Sequence, residues 1–143
     1  MVFSVFLVLY LLCGLVIYFS SRKYGVGHIA LLAILSRLVM ALFGLVIVLP
    51  FGGKDAITFE STAWEWSQKS IIDILATINI SGSYVISSTI ALFYHVLERN
   101  LAIPVFLNAI IGLFIFYYAL VLAHVVWGRR FISKLFVLIV ALH

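Results

Sequence analysis

The longest uncharged run of the chain is Leu101-Ala-Ile-Pro-Val-Phe-Leu-Asn-Ala-Ile-Ile-Gly-Leu-Phe-Ile-Phe-Tyr-Tyr-Ala-Leu-Val-Leu-Ala-His-Val-Val-Trp127, and it determines the class of protein. A helix needs about 20 apolar residues to cross the hydrocarbon core of a bilayer, which is about 30 Å thick. The run exceeds that length, so it predicts a transmembrane helix. Gly128-Arg-Arg130 follows directly, and such a basic pair is typical of the end of a membrane span.

Further apolar segments lie on both sides of this run. They cover residues 2–19, 28–50, 84–97 and 131–143, and the last is too short for a complete span. No charged side chain precedes the first segment, so we expect a retained anchor and not a cleaved signal. We therefore predict an all-α, polytopic membrane protein with about four to five transmembrane helices, in a single membrane domain covering residues 1–143.

The composition agrees with this class. Hydrophobic residues make up 66% of the chain and charged residues 10%, whereas soluble proteins carry about 25% charged residues. This excludes a water-soluble domain and makes the lipid bilayer the predicted partner. The net charge of +4 comes from basic residues scattered at segment ends, which is typical of topology determinants and not of nucleic-acid binding. The single cysteine, Cys13, excludes an internal disulfide.

One polar loop, residues 51–83, interrupts the apolar segments. The part of this loop from Gly52 to Lys69 holds three of the five acidic residues in the chain, Asp55, Glu60 and Glu65. Because the rest of the chain avoids charge, this concentration marks a candidate site for chemistry or recognition.

The same loop predicts an amphipathic helix that lies on the membrane surface. Ala56, Phe59, Ala63 and Trp66 recur at helical spacing, and tryptophan is common where lipid headgroups meet water. Asp55 comes at the N-terminal end of this helix, where the helix dipole stabilises a carboxylate. A purely structural interpretation makes this aspartate an N-cap.

Two further charges are interpreted from their spacing. Glu65 and Lys69 are four residues apart and are expected to form an ion pair along the helix. Arg37 lies within the second apolar segment, roughly 13 Å of helix from His28. An intramembrane charge indicates function by default, with a lipid phosphate or Glu98 as its partner. The alternative is that Arg37 snorkels to the headgroups.

The polar loop carries a resemblance to a known family. Leu49-Pro-Phe-Gly-Gly-Lys-Asp-Ala-Ile-Thr-Phe-Glu-Ser-Thr-Ala-Trp-Glu-Trp-Ser67 resembles the first large loop of bacterial polytopic glycosyltransferases of the GT-C type, including polysaccharide polymerase-like proteins. Ser81-Gly-Ser-Tyr-Val-Ile-Ser-Ser-Thr-Ile-Ala-Leu-Phe-Tyr94 is similar to their next element, and Asn108-Ala-Ile-Ile-Gly-Leu113 with Trp127-Gly-Arg-Arg130 is similar to the span that follows. The resemblance covers roughly residues 45–142.

The resemblance implies a function and a set of site residues. Such enzymes pass a sugar from a polyprenyl-phosphate carrier to an acceptor at the outer membrane face. The acidic residue that matches Asp55 serves as the catalytic base or helps to hold a divalent cation. Asp55 and Glu60 are the candidate ligands of Mg²⁺ or Mn²⁺, which prefer oxygen donors. The candidate substrate-binding residues are Lys54, Glu60, Trp64 and Arg37.

Charge counting leaves the orientation open. Arg22 and Lys23 between the first two segments favour a cytoplasmic turn, with the polar loop on the outer face of a bacterial inner membrane. If residues 84–97 cross the membrane, this orientation places three basic residues inside and five outside, and the inverted one scores better. If they do not cross, the first orientation also places five inside.

Two other functions are compatible with the sequence. The chain could be a small non-catalytic membrane subunit whose surface helix and unfinished last segment pack against larger partners, instead of the N-terminal part of a transferase. It could also bind haem for electron transfer if His28 and His95 shared one membrane face.

Overall fold

The structure, a computed structural model, describes residues 2–46, 54–78 and 84–127, and gives the backbone alone for 54–56 and 127. As predicted, the described part of the chain is all-helical. Its helices in chain order are α1 Val2–Arg22, α2 Gly27–Val46, α3 Lys54–Ser67, α4 Ile71–Ala76, α5 Val85–Leu97 and α6 Ala102–Trp127.

Among the described helices, α1, α2 and α6 are long and apolar enough to cross a membrane. They have 21, 20 and 26 residues, which gives each a length of about 30 Å or more. The start of α6 follows from two residues. The Asn100 side chain accepts a hydrogen bond from the backbone N–H of Ala102 at 2.9 Å, and Pro104 lies in the first turn, where its missing N–H costs nothing.

A tight turn joins α1 to α2. The backbone N–H of Tyr24 donates to the carbonyl of Ser21 at 3.1 Å, and that of Gly25 donates to the carbonyl of Arg22 at 3.0 Å. Gly25 has a φ of 73°, a conformation that glycine adopts without steric cost. The chain therefore reverses here, and α2 runs antiparallel to α1.

The direction of α6 is fixed by contacts at the two ends of the bundle. Phe106, near the start of α6, stacks edge-on against Phe3 of α1 with ring centroids 5.6 Å apart. Near the end of α6, the ring of His124 packs against that of Tyr24 in the α1–α2 turn, with centroids 5.2 Å apart. Helix α6 is therefore parallel to α1 and antiparallel to α2. The last turns of α2 and the first turns of α6 consequently lie at one end, which we name the cap end; the other is the turn end.

Helices α3, α4 and α5 pack together at the cap end, and we name them the cap. Helix α5 contacts α1 through Phe93 and Phe6, whose ring centroids are 5.6 Å apart. Helix α3 lies along α5, with Ala63 fully buried. Ser70 begins α4 as its N-cap and accepts from the backbone N–H of Asp73 at 3.2 Å.

One hydrophobic core links the cap with the three long helices. Tyr10 of α1 is fully buried in it, and its hydroxyl donates to the carbonyl oxygen of Ile34 in α2 at 2.7 Å. A buried phenol needs such a partner, because an unsatisfied hydroxyl in an apolar interior is costly. The cap and the bundle are thus packed as one body.

The described helices can be compared with the predicted segments. The spans predicted at 2–19, 28–50 and 101–127 are helices at 2–22, 27–46 and 102–127, and residues 47–50 lie outside the described part. The segment predicted at 84–97 is a helix at 85–97, of 13 residues. The incomplete span at 131–143 lies outside the described residues, so the total of four to five spans stays a prediction.

Two glycines allow a direct test of helix packing. A β-carbon at Gly14 would lie 3.1 Å from Cγ2 of Ile34, whereas one at Gly44 would come no closer than 4.0 Å to Val105. Both Gly→Ala changes gain about 1 kcal/mol of helix propensity, but only the first requires a neighbouring side chain, that of Ile34, to shift. We expect Gly14→Ala to melt at a lower temperature than Gly44→Ala in detergent. Equal melting temperatures would contradict this packing.

Candidate functional site

A carboxylate in the cap is held by two side chains from a distant part of the chain. Arg99 donates to Glu60 twice, from Nε to Oε1 at 2.9 Å and from Nη2 to Oε2 at 2.8 Å. The hydroxyl of Tyr94 donates a third hydrogen bond to Oε1 at 3.0 Å. A bidentate arginine–carboxylate contact combines charge with a fixed geometry. Glu60 therefore joins α3 to the end of α5 and the loop that follows it.

Trp64 completes this arrangement. It lies four residues after Glu60 on α3, so both positions face the same side of the helix. The Arg99 guanidinium carbon lies 5.3 Å from the centroid of the Trp64 ring, a cation–π contact. The same ring lies edge-on to Tyr94, with centroids 6.3 Å apart. We name Glu60, Trp64, Tyr94 and Arg99 the Glu60 cluster.

The electrostatics of the cluster favour the charged pair. The hydrogen bonds from Arg99 lower the pKa of Glu60 below its usual value and outweigh the opposing effect of burial. The same contact raises the pKa of Arg99. The Glu60 side chain is only 15% exposed, whereas that of Arg99 is 46% exposed. At neutral pH the cluster therefore holds a shielded carboxylate and a partly exposed guanidinium.

Two more hydrogen bonds attach α3 to α5. Nδ1 of His95 lies 2.8 Å from the carbonyl oxygen of Ser67, and because that oxygen can only accept, Nδ1 carries the proton. The hydroxyl of Ser87 donates to the carbonyl oxygen of Phe59 at 3.0 Å. His95 thus belongs to the cap, while His28 lies in the first turn of α2 at the turn end. The hypothesis that both histidines hold one haem is wrong, since they lie at opposite ends of the bundle.

Lys54 and Asp55 lie in the first turn of α3, which begins two residues before Ala56, where the helical pattern starts. The interpretation of Asp55 as the N-cap is therefore wrong. Their side chains lie outside the described part of the structure. Positions 55 and 60 are five residues apart on this helix and so differ by about 140° in direction around its axis. Among the described side chains, no group of three His, Cys, Asp or Glu could hold a metal ion. A cation bound by Asp55 and Glu60 stays a prediction, and at Glu60 it would share the carboxylate with Arg99.

Arg37 lies in the middle of α2, on the helix side that also carries the buried residues Ala30, Ala33 and Ala41. Its guanidinium packs on Gly112 of α6, where an added β-carbon would lie 2.7 Å from Cζ. The side chain remains exposed. Among the described residues, neither a hydrogen bond nor an ion pair joins it to another side chain. The predicted pairing with Glu98 is absent, because Glu98 lies in the cap at the end of α5.

Sequence reasoning found Glu60 and Trp64 as candidates but missed Tyr94 and Arg99. Arg99 was counted only as a topology charge, and nothing in local spacing links it to Glu60, which precedes it by 39 residues. The pair predicted from local spacing, Glu65 with Lys69, does not form among the described side chains. The reason is that α3 ends at Ser67, before Lys69.

No family model matches the chain, and no curated protein or solved structure matches it either. The resemblance to GT-C glycosyltransferases therefore stays a prediction. What the protein does has to be inferred from the chemistry of its residues and the arrangement of its helices.

Proposed function

We propose that the chain takes part in GT-C-like glycosyl transfer from a polyprenyl-phosphate-linked sugar during the assembly of cell-surface polysaccharide. In this proposal the chain supplies the membrane anchor and the first catalytic loop, and Asp55 is the carboxylate that activates the acceptor. The observation that carries the proposal is the position of α3, which begins at Lys54 and Asp55 and packs at the cap end of the bundle.

The helix directions support a loop that returns to the membrane face from which it started. Because α2 ends and α6 begins at the cap end, the chain between them leaves and re-enters the bundle on one side. Helix α5 has 13 residues, which gives a length of about 20 Å against a hydrocarbon core of about 30 Å. We infer that α5 does not cross the membrane and that residues 2–127 cross it three times, through α1, α2 and α6.

This arrangement supports one of the two orientations that charge counting leaves open. Arg22 and Lys23 lie at the turn end, and Arg129, Arg130 and Lys134 follow α6 in the sequence after that same end. The cap side has Lys54, Lys69 and Arg99. The positive-inside tendency then favours a cytoplasmic turn end. The cap would face the outside of a bacterial inner membrane, where a polyprenyl-linked donor is used.

Helix α3 has the two faces that a surface helix needs. Ala63 and Ser67 are buried against α5, whereas the Ile57 side chain is 70% exposed. Trp64 and Trp66 pack between α3 and the rest of the cap, and tryptophan is favoured at the level of the headgroups. These features support an amphipathic helix at the membrane surface, with Asp55 in its first turn.

The chemistry assigned to the first turn of α3 is proton removal. An acceptor hydroxyl must lose a proton as the sugar–phosphate bond breaks, and a positioned carboxylate assists that loss. Asp55 would be the base, and Lys54 would contact the phosphate, whose developing charge a cation stabilises. The role of the Glu60 cluster in this proposal is to hold α3, and with it Asp55, in a fixed position.

The proposal requires the cap to face outward, which cysteine labelling can test. Ser61 is exposed on α3, and its hydroxyl bonds only to the carbonyl oxygen of Thr58 in its own helix. In a Cys13→Ala background, we expect Ser61→Cys to react with a membrane-impermeant maleimide in intact cells. The matched variant Lys23→Cys, in the exposed turn, should react only after permeabilisation. The reverse result would place the cap in the cytoplasm and end the transferase proposal.

A second candidate function, a non-catalytic membrane subunit, is favoured by Arg37. This charge lies in the middle of a candidate span, and the described helices give it no acidic partner. Such a residue is typical of helices that pair with other membrane segments. If the chain is such a subunit, replacing Asp55 should leave the function of its membrane complex unchanged, whereas the transferase would lose activity.

A further inference from the structure

Arg37 lies at the middle of α2 by length. It is ten residues from Gly27 and nine from Val46, which places it about 14–15 Å of helix from each end. That distance is half the thickness of the hydrocarbon core. A charge at this depth is costly to insert, so it persists where it has a partner.

The three long helices contain no such partner. All five acidic residues of the chain lie between positions 55 and 98, and none lies in α1, α2 or α6. The Tyr10 hydroxyl is close enough to interact with the Arg37 charge but donates its proton to the carbonyl oxygen of Ile34. The guanidinium therefore meets no negative charge among the described residues.

Two other partners are disfavoured by geometry and composition. A lipid phosphate lies beyond either end of α2, about 14 Å of helix away from Arg37. Snorkelling brings side chains to the headgroups from positions near a helix end, and Arg37 is farther away than that. A second copy of this chain offers no carboxylate in its long helices, because its acids all lie in the loop and cap. The remaining source of charge complementarity is a different transmembrane segment.

We infer that Arg37 is the anchor of a helix–helix contact with a further transmembrane helix that carries an aspartate or glutamate near its middle. This helix would lie along α2 and α6 beside Gly112, where the absence of a side chain leaves room for the guanidinium. Exposed apolar residues flank the position on both helices, among them Met40 at 63% and Ile115 at 64%. The inference does not depend on glycosyl transfer, since it is based on the position of Arg37 in α2 and its contact with Gly112.

The test uses a designed probe in a bilayer. The full chain, labelled at Lys23→Cys in a Cys13→Ala background, is reconstituted into phosphatidylcholine vesicles with a labelled leucine-rich transmembrane peptide. One version of the peptide has a central aspartate and the other a central leucine. By energy transfer, we expect the aspartate peptide to associate on the order of tenfold more tightly, since polar contacts between membrane helices contribute about 1–2 kcal/mol.

Two variants keep the result interpretable. Arg37→Leu should abolish the preference for the aspartate peptide, and it cannot fail through poor insertion, because it removes the only charge within α2. Gly112→Ala should weaken the preference, because the new methyl group displaces the guanidinium. Equal binding of the two peptides, or a preference that survives Arg37→Leu, would overturn the inference. Loss of the preference on adding phosphatidylglycerol would assign Arg37 to an anionic lipid headgroup and would also overturn the inference.

Discussion

Replacing Asp55 with alanine is expected to abolish sugar transfer from a polyprenyl-phosphate donor, while the chain still inserts into the membrane. A general base accelerates proton transfer by about 10²–10⁴-fold, so we expect a loss of at least about 100-fold in kcat. Insertion should be unaffected because Asp55 lies outside the three long helices. The measurement is transfer of labelled sugar from polyprenyl phosphate by membranes that contain the complete assembly.

The choice of variants separates chemistry from helix stabilisation. Because α3 begins at Lys54, Asp55 lies in its first turn and not at the N-cap, where its charge would stabilise the helix dipole. Asp55→Glu keeps that charge but moves the carboxylate by one methylene group. If Asp55 only stabilises α3, Asp55→Glu should retain the transfer that Asp55→Ala loses. If Asp55 is the base, Asp55→Glu should lose most of it as well. Glu65→Ala, an exposed acid on the same helix, is the matched control and should retain activity. Normal transfer by Asp55→Ala would remove the transferase assignment.

The second large effect is expected at the Glu60 cluster. Glu60→Gln keeps the size of the side chain but removes the charge that both Arg99 contacts use. Because charge-assisted hydrogen bonds are roughly twice as strong as neutral ones, the attachment of α3 to α5 should weaken. We expect backbone amides of α3 to exchange hydrogen about tenfold faster, or more. Those of α1, far from the cluster, should exchange at an unchanged rate.

Two controls locate this effect in the ion pair. Glu65→Gln changes the same type of side chain on the same helix but at an exposed position without an ion pair, and it should leave exchange unaltered. Arg99→Gln should reproduce the effect of Glu60→Gln. Combining both changes should add little, since they break one interaction. Additive effects of the two variants would contradict the pairing.

The same pair predicts a dependence on pH. The pKa of Glu60 in the folded protein lies below its ordinary value of 4.5, chiefly because of the hydrogen bonds from Arg99. The charged pair therefore stabilises the folded protein fully at pH values above the ordinary pKa of Glu60. This stabilisation is lost as the pH falls through the lowered pKa of the folded state. The difference in exchange between wild type and Glu60→Gln should therefore be constant from neutral pH to about pH 5 and vanish in stronger acid. A difference unchanged in strong acid would mean that Glu60 acts through its shape alone.

The long apolar helices could be predicted from sequence because their signal is local. Lipid permits a crossing chain only if every backbone group is bonded within the helix or barrel, so length and apolarity suffice to find α1, α2 and α6. The polar loop also contains a helix, α3, in which Phe59 and Ala63 recur at helical spacing, whereas its location on the membrane surface stays a prediction. Its end at Ser67 was not predicted, and that end removed the expected Glu65–Lys69 pair.

The cluster could not be predicted because its members are brought together by tertiary packing. Glu60 contacts Tyr94 and Arg99 only when α3 lies along α5. The spacing of residues in one sequence does not indicate that α3 and α5 pack together. Arg37 is the opposite case. Its position alone indicated function, but its contact with Gly112, the small residue that accommodates the guanidinium, became visible only in the structure.

The separation of 39 residues between Glu60 and Arg99 also sets an order of events during biosynthesis. Ribosomes add about 5–20 residues per second, so the carboxylate emerges roughly 2–8 seconds before its arginine. In the proposed orientation both residues pass through the translocon, Glu60 first, before α6 is inserted. Protease should therefore reach α3 on the far side of the membrane until Arg99 has also been translocated, and protection should appear only after that.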